Sequence, residues 1–207
     1  MLRALEGCGW LRREVSVLLC AIVAGGCAVS VPGEGVPDGN VAARTSVTAR
    51  PLPFVPQYEG RTNERNDGTT FEPCIAYSDA ELRALGADPR SVKDVMISVS
   101  PNYRGCRWQS PDSAAYFSQT LGNEVSLEIY KAKQRTRPWQ PDRIINGRTV
   151  ILTTEGDDGC FASFMSENAI VHSAYTVDGW GRKPSPGLVA ECNKAIEWAT
   201  LAISKAP

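Results

Sequence analysis

The sequence predicts an α+β domain with a mostly antiparallel sheet of about six strands, covered by a short N-terminal helix and a C-terminal amphipathic helix. Three observations support this prediction: a capping-box pattern near residue 78, several short alternating segments between residues 95 and 177, and an apolar helical stripe after residue 185. Tight turns between short strands make consecutive strands antiparallel neighbours. Such a sheet commonly buries one face beneath helices, so a single layered domain is expected.

The N-terminal helix is predicted over residues 78–85, shortly after the folded domain is expected to begin at residue 71. Ser78 and Glu81 stand three residues apart, the spacing at which each side chain can bond the backbone of the other residue. Leu82 and Leu85 then fall on one face. Gly86 can adopt the left-handed conformation that often ends a helix.

Alternating apolar residues predict the strands of the sheet. Turn residues at 155–159 and 166–168 indicate that the last three strands are antiparallel neighbours. Residues 101–105 are predicted to form the hairpin between the first two strands, and the proline-containing residues 135–142 are predicted to form a loop. The six predicted strands are residues 95–99, 104–109, 125–129, 148–154, 160–165 and 169–177.

The C-terminal helix is predicted over residues 186–204. Ser185 is the expected N-cap, and Pro186 fits the first helical position because its missing N–H is not needed there. The following apolar residues recur at helical spacing and predict a buried stripe. This stripe consists of Leu188, Cys192, Ala195, Ile196, Ala199 and Ala202.

The N-terminus carries the pattern of an export signal. Arg12 and Arg13 precede an uncharged apolar core of ten residues, 15–24, which fits a signal peptide and is too short to span a bilayer. The core leads into Gly25, Gly26 and Cys27. This pattern resembles a bacterial lipobox, which implies a signal peptide over residues 1–26 and lipid attachment at Cys27. The alternative is a plain secreted protein.

Residues 27–70 are expected to be the lipidated cysteine followed by a flexible tether, and residues 71–207 the folded domain. Five prolines and five glycines lie between residues 28 and 70, without a sustained strand or helix period. An alternative for the apolar patch at residues 51–56 is that it docks on the domain. The predicted location is the extracytoplasmic face of the cell membrane, reached through the N-terminal lipid.

Four cysteines remain in the predicted domain, and an even number in an exported protein favours two disulfides. Four cysteines allow three pairings. Two of the intervals, 74 to 106 and 160 to 192, are both 32 residues, which favours two local bridges. The rival interpretation, a zinc site, lacks the usual closely spaced pairs, and we expect no metal. The predicted bridges are Cys74–Cys106 and Cys160–Cys192.

Several short motifs resemble a family of uncharacterised actinobacterial, mycobacterial-type lipoproteins of unknown function. The resemblance covers about residues 71–205 and implies an envelope lipoprotein, with no established activity. The motifs that carry it are Phe71-Glu-Pro-Cys74, Ala84-Leu-Gly86, Gly105-Cys-Arg-Trp108, Asn146-Gly-Arg148, Gly159-Cys160 and the late Cys192 before the C-terminal helix.

The candidate surface contacts are basic and aromatic. The basic side chains alternate and can share one side of an extended segment, where they either stay solvated or contact anionic headgroups. The aromatic ones are expected to anchor loops on the sheet, with a ligand platform as the alternative, whereas Trp108 is expected in the core. The candidates are Lys131, Lys133, Arg135, Arg137, Trp139 and Trp180.

The function predicted from the sequence is a non-enzymatic envelope module that binds a lipid, a glycolipid or a protein partner, with no cofactor. With 22 basic and 23 acidic residues, the chain lacks the excess charge of a nucleic-acid partner. The single histidine, His172, lies outside any catalytic motif and is interpreted as a packing or surface residue. The alternatives are a purely structural envelope protein and a hydrolase with carboxylates such as Glu124, Glu128, Asp157 or Glu167.

Overall fold

A seven-stranded antiparallel sheet is the centre of the fold in this computed structural model, which describes residues 50–95, 102–154, 159–177 and 184–207. Its strands are β1 (Lys93–Asp94), β2 (Arg104–Gln109), β3 (Ala115–Asn123), β4 (Trp139–Ile145), β5 (Arg148–Thr154), β6 (Gly159–Ser166) and β7 (Ala169–Val177). They lie side by side in the order β1-β2-β3-β7-β6-β5-β4. The late hairpin β6–β7 therefore inserts between the early strands and the middle ones.

Four α-helices accompany the sheet within the described residues: α1 (Pro73–Ala76), α2 (Asp79–Leu85), α3 (Leu127–Lys133) and α4 (Leu188–Ile203). The predicted mixture of helices with an antiparallel sheet is confirmed. The numbers differ, with seven strands for the predicted six and four helices for the predicted two. None of the helices in these ranges combines the length and the apolar character needed to cross a bilayer.

Helix α2 forms where the capping box predicts it. The Ser78 side chain accepts from the Glu81 backbone N–H at 3.2 Å, and the Glu81 carboxylate accepts from the Ser78 N–H at 2.8 Å. Gly86 follows with φ of 93°, and its N–H bonds the last helical carbonyls. The local sequence thus fixes both ends of this helix.

The predicted strand at residues 125–129 is wrong, because this segment begins helix α3. The Ser126 side chain accepts from the Ile129 N–H at 3.2 Å and caps the helix. Val125 lies outside the helix and is 80 % exposed, so the apparent alternation of three apolar residues does not mark one buried face. One of the strands that the prediction missed is β3, which pairs with β7 along nine residues.

The predicted loop at residues 135–142 is also wrong in its second half, where β4 begins at Trp139. The register of β4 against β5 shifts between Gln140 and Arg143, around Pro141. Proline has no N–H for a sheet ladder and is tolerated at edges and bulges, and β4 is an edge strand.

The other strand predictions fare better. Strands β2, β5, β6 and β7 match the predicted segments within a residue. Most of the predicted strand 95–99 and most of the turn at 155–159 lie outside the described residues.

Helix α4 begins later than predicted. Its N-cap is Gly187, not Ser185, and Leu188 is the first helical residue. The Ser185 hydroxyl accepts from the Gly187 N–H at 2.9 Å and donates to a Glu191 carboxylate oxygen at 2.5 Å, so it organises the approach to the helix. Pro186 lies before the helix.

Helix α4 covers one face of the sheet and creates the larger core. Trp198 is fully buried there, with its ring centroid 5.4 Å from that of Trp108 and 4.7 Å from that of Tyr77. Trp108 is thus a core residue, as predicted. Below these rings the Tyr77 hydroxyl donates to the Gln119 side chain, whose amide donates to Ser173 at 2.8 Å.

The opposite face carries a smaller core beneath α3. Successive strand residues point to opposite faces, and Ile151 and Ile170 pack here with Leu127 and Tyr130 of the helix. Both faces of the sheet are therefore covered, but the α3 face has less apolar material.

Both predicted disulfides are present. Cys74 of α1 is bonded to Cys106 of β2, and Cys160 of β6 is bonded to Cys192 of α4, with Cα separations of 5.4 and 4.9 Å. Each bridge joins a helix to a strand. The interval argument therefore identified the correct pairing.

The ordered fold extends N-terminal of residue 71, into the segment assigned to the tether. Arg61 is only 6 % exposed, and its guanidinium pairs with Glu72 at 2.7 Å and with Asp94 at 3.3 Å. Leu52 and Phe54 pack against the larger core, as in the docked alternative for residues 51–56. The predicted signal peptide, Cys27 and the tether up to residue 49 lie outside the described residues.

Candidate functional site

His172 lies on the α3 face of β7, near the centre of the sheet. In the neighbouring strands it stands opposite Thr120 of β3 and Ser163 of β6. Since paired residues of antiparallel strands point to the same face, three polar side chains meet on a surface that would otherwise be apolar. The pairing of β3 and β6 with β7 creates this cluster.

The imidazole of His172 is buried and neutral. Its Nδ1 lies 2.7 Å from the Ser163 Oγ, and the side chain is 6 % exposed. Burial lowers its pKa to about 3, and the positive charge of Arg137 adds to the effect. His172 therefore carries no charge at neutral pH.

The second ring nitrogen, Nε2, is buried and makes no hydrogen bond in the described part of the chain. Nε2 is farther from Cβ than Nδ1 is, so it lies farther from the β7 backbone. A buried polar atom without a partner costs on the order of 1–3 kcal/mol. Such an atom commonly indicates a site where water or a ligand completes the hydrogen bonding.

The hydrogen-bond inventory of Ser163 assigns the tautomer of His172. Ser163 is 2 % exposed, and its hydroxyl has no other acceptor in the described ranges. If Nδ1 carried the proton, the Ser163 O–H would be left without an acceptor in a buried position. The lower-cost arrangement has the Ser163 hydroxyl donating to Nδ1, which places the proton of the imidazole on Nε2.

His172 lines a cavity of about 240 Å³, which we call the His172 pocket. Aromatic rings form much of its wall: the Tyr130 ring centroid lies 5.0 Å from that of His172, and the Tyr103 centroid 5.9 Å from it. The residues that line the pocket are Val95, Tyr103, Thr120, Tyr130, Arg137, Phe161 and His172.

Arg137 supplies the positive charge of the pocket. Its guanidinium carbon lies 5.6 Å from the centroid of the Phe161 ring, within the range of a cation–π contact. It forms no ion pair with any carboxylate in the described ranges. The pocket therefore combines an arginine that has no carboxylate partner in the described ranges, an imidazole donor and apolar walls.

Helix α3 and the turn after it bring Tyr130 and Arg137 over the sheet. The Arg137 N–H donates to the Gln134 carbonyl at 3.0 Å, which folds the chain back after the helix. Trp139 fixes this turn, because its indole N–H donates to the same carbonyl at 3.1 Å and its ring packs edge-on against Tyr130 at 6.1 Å.

The predicted surface contacts do not form one basic face. Lys131 pairs with Asp142 at 2.9 Å, and Lys133 pairs with Glu124 at 2.8 Å. Arg135 is exposed, and Arg137 lines the pocket. The alternation fails because the two lysines lie in the last turn of α3, and residues two apart share a face in a strand but not in a helix.

The aromatic candidates are Trp139 and Trp180. Trp139 is packed beside α3, and Lys131 Nζ lies 5.5 Å from its ring centroid. Trp180 lies outside the described residues.

The candidate hydrolase carboxylates do not gather at the pocket. Glu167 accepts from the Thr70 N–H at 2.6 Å, a bond that lowers its pKa. The Ser126 side chain lowers the pKa of Glu128 at the start of α3, and Glu124 pairs with Lys133. None of these three lines the His172 pocket, and Asp157 lies outside the described residues.

Sequence reasoning interpreted His172 as a packing or surface residue and missed its surroundings. The sequence does contain the polar residues of this cluster, namely Thr120, Ser163 and His172. Their placement on one face of the sheet follows only once β3 and β6 are known to flank β7. Across the described ranges, no three metal-ligating side chains of the His, Cys, Asp or Glu type come together.

Comparison with known proteins identifies a family without an assigned activity. No solved structure matches the chain. A family model described as "Protein of unknown function (DUF3558)" matches residues 22–205, which is most of the sequence. The chain therefore belongs to the DUF3558 family.

Proposed function

We propose that the chain is a membrane-anchored envelope lipoprotein of an actinobacterium whose domain binds a small ligand, without turning it over, in the His172 pocket. The observation that carries the proposal is that His172 lines a cavity and that its buried Nε2 has no partner in the described residues. A bound ligand would satisfy this atom. The anchor in the proposal rests on the lipobox pattern ending at Cys27.

The pocket favours a small molecule or a single headgroup over a whole lipid. Its volume of about 240 Å³ lies below the roughly 300–1,000 Å³ of pockets that enclose drug-sized ligands. Several acyl chains would not fit. This narrows the lipid and glycolipid partners expected from the sequence to their headgroups or to small soluble compounds.

Binding is favoured over hydrolysis by the chemistry at Ser163. Ser163 is 2 % exposed, and its hydroxyl faces Nδ1 of the buried imidazole. A serine nucleophile must reach its substrate, and the base must be oriented by a further group. Among the described residues, no carboxylate lines the pocket to take that role.

The single histidine makes the proposal directly testable. In full chain labelled with ¹⁵N at histidine and tryptophan, every imidazole signal belongs to His172, and small aromatic and aliphatic compounds can be added while this signal is followed. We expect a subset to shift the imidazole signal and to leave the indole N–H of Trp198, in the core on the other face, unmoved. If no compound shifts the imidazole signal of His172, the binding function is refuted.

The anchor has its own test. The intact mass of the protein from its native membrane should correspond to a chain that begins at Cys27 and carries acyl groups, with all four domain cysteines oxidised. A chain beginning at Met1 without acyl mass would refute the lipoprotein part and leave the pocket unaffected.

A further inference from the structure

We infer that the ligand of the His172 pocket is a small organic oxyanion, a carboxylate or phosphate group on an aromatic or short aliphatic body. The inference rests on the proposed binding function and specifies its chemistry. It derives from the kinds of hydrogen-bonding groups that the pocket offers and from those that it lacks.

Two polar groups of the pocket can only donate hydrogen bonds. The tautomer set by Ser163 leaves an N–H at Nε2 of His172, and Arg137 adds a guanidinium that has no carboxylate partner in the described ranges. Two donors, one of them charged, favour a ligand group that accepts several hydrogen bonds and carries negative charge. Carboxylates and phosphates fit this requirement, and arginine can bind either through two parallel hydrogen bonds.

Among the described residues, the lining of the pocket contains no aspartate or glutamate. A cationic ligand would therefore meet the charge of Arg137 with no compensating carboxylate from the described lining. An anionic ligand would instead compensate the positive charge of Arg137, which also contributes to the lowered pKa of His172.

The rest of the pocket is suited to an apolar body. Phe161 lies beneath the Arg137 guanidinium, and Tyr103, Tyr130 and Val95 complete the wall. An oxyanion held by Arg137 and Nε2 would leave its hydrocarbon part against these side chains. A free inorganic anion would leave this apolar surface uncovered, so an organic anion is favoured over phosphate alone.

The test compares matched ligands in full chain labelled with ¹⁵N at histidine and tryptophan. Benzoate and phenyl phosphate are the anionic probes, benzamide is the neutral isostere of benzoate, and inorganic phosphate is the anion without a body. We expect at least one organic anion to shift the Nε2–H signal with an affinity about tenfold or more above that of benzamide, because it adds a charge-assisted bond. The two anionic probes distinguish carboxylate from phosphate recognition.

Two arginine variants provide the matched comparison. Arg137→Gln should weaken binding of the anion about tenfold or more and leave the affinity for benzamide nearly unchanged. Arg135→Gln removes an exposed arginine two residues away and should change neither affinity. The Trp198 indole signal, distant from both substitutions in the sheet, reports whether each variant is folded.

The outcomes separate this inference from the binding function itself. Equal binding of benzoate, phenyl phosphate and benzamide, or unchanged anion affinity in Arg137→Gln, would overturn the oxyanion assignment and leave a binding pocket. An imidazole signal with the proton on Nδ1 would also overturn it. If neither the anions nor the neutral compounds reach His172, both proposals fail.

Discussion

Ser163 Oγ and His172 Nδ1 lie 2.7 Å apart on the adjacent strands β6 and β7, and this contact determines the hydrogen-bonding character of the pocket. Because the serine occupies Nδ1, Nε2 is the ring nitrogen of His172 that remains without a partner in the described residues. A buried imidazole held in this way is a neutral donor. It contributes to recognition without changing its charge over the physiological pH range, because its pKa is lowered to about 3.

The first prediction concerns acid stability. The pKa of His172 is about 3 in the folded chain and about 6.5 when unfolded, so the unfolded state binds a proton that the folded state does not between these values. Stability is therefore fully present above pH 6.5 and falls as the pH decreases toward 3, by on the order of a few kcal/mol for this group. His172→Gln should lack this part of the pH dependence.

The measurement is urea unfolding of both proteins at several pH values. The interval from pH 6.5 to 5 is the most informative, since ordinary carboxylates titrate below it. The same slope for wild type and His172→Gln in this interval would contradict the neutral, buried state of the imidazole.

The second prediction concerns Gly105 in β2. Its φ is 148°, and a Cβ at this position would lie 1.9 Å from the Gln119 carbonyl oxygen of β3. Gly105→Ala must therefore push β2 away from β3 and strain its own backbone, at a cost of about 3 kcal/mol or more.

Gly147→Ala is the matched control for Gly105→Ala. Gly147 also has a positive φ, of 80°, but a Cβ there meets nothing within 4 Å. We expect a cost of only about 1 kcal/mol, from the backbone conformation alone. Equal free energies of unfolding for the two variants would show that the close approach of β2 and β3 is not the cause.

The third prediction concerns the bridge between β6 and α4. The double variant Cys160→Ala/Cys192→Ala should lower the free energy of unfolding by about 2–5 kcal/mol, the usual loss for a native disulfide. Thermal melting of the variant beside the oxidised wild type measures this loss. Coincident melting curves would argue that the helix is held on the sheet by packing alone.

The fourth prediction concerns the buried charge cluster at the start of the fold. Glu72 binds both Arg61, at 2.7 Å, and Arg104, at 2.9 Å. Glu72→Gln leaves two arginines with less compensating charge in a buried setting, which typically costs about 3–5 kcal/mol when a buried pair is broken. We also expect faster protease cleavage within residues 50–70.

Arg83→Gln is the control for the charge cluster. Arg83 pairs with Asp79 at 3.0 Å on the exposed surface of α2, where both side chains are 60 % exposed. Exposed pairs contribute about 0–1 kcal/mol, so this variant should keep wild-type stability and protease resistance. A similar loss of stability in both variants would show that the buried cluster stabilises the fold no more than an exposed ion pair does.

The sequence predicts those parts of the fold that depend on local signals. Ser78, Glu81 and Gly86 define α2 because a capping box and a left-handed glycine act within a single turn. The three strands β5, β6 and β7 are joined by short turns, so their alternation and their pairing agree. The disulfides follow from the equal intervals between cysteines.

The parts that were missed depend on contacts far apart in sequence. Strand β3 carries few aliphatic residues, with Gln119 and Ser118 among its members, and its nine pairs with β7 join residues about 45–60 positions apart. The alternation of Val125, Leu127 and Ile129 resembles a strand pattern. Three apolar residues are too few to distinguish a strand from the start of a helix. The pocket depends on β3, β6, β7 and α3 together, so no single segment of sequence could reveal it.

The buried ionic cluster at Arg61, Glu72 and Arg104 has a mechanical consequence. If the chain is tethered at its amino end, tension from the membrane enters the domain through residues 50–72. Along the chain it meets the docked Leu52 and Phe54 first, then this cluster, and then the disulfide from Cys74 to Cys106. The disulfide passes the load to β2, which lies two strands away from β7 and His172.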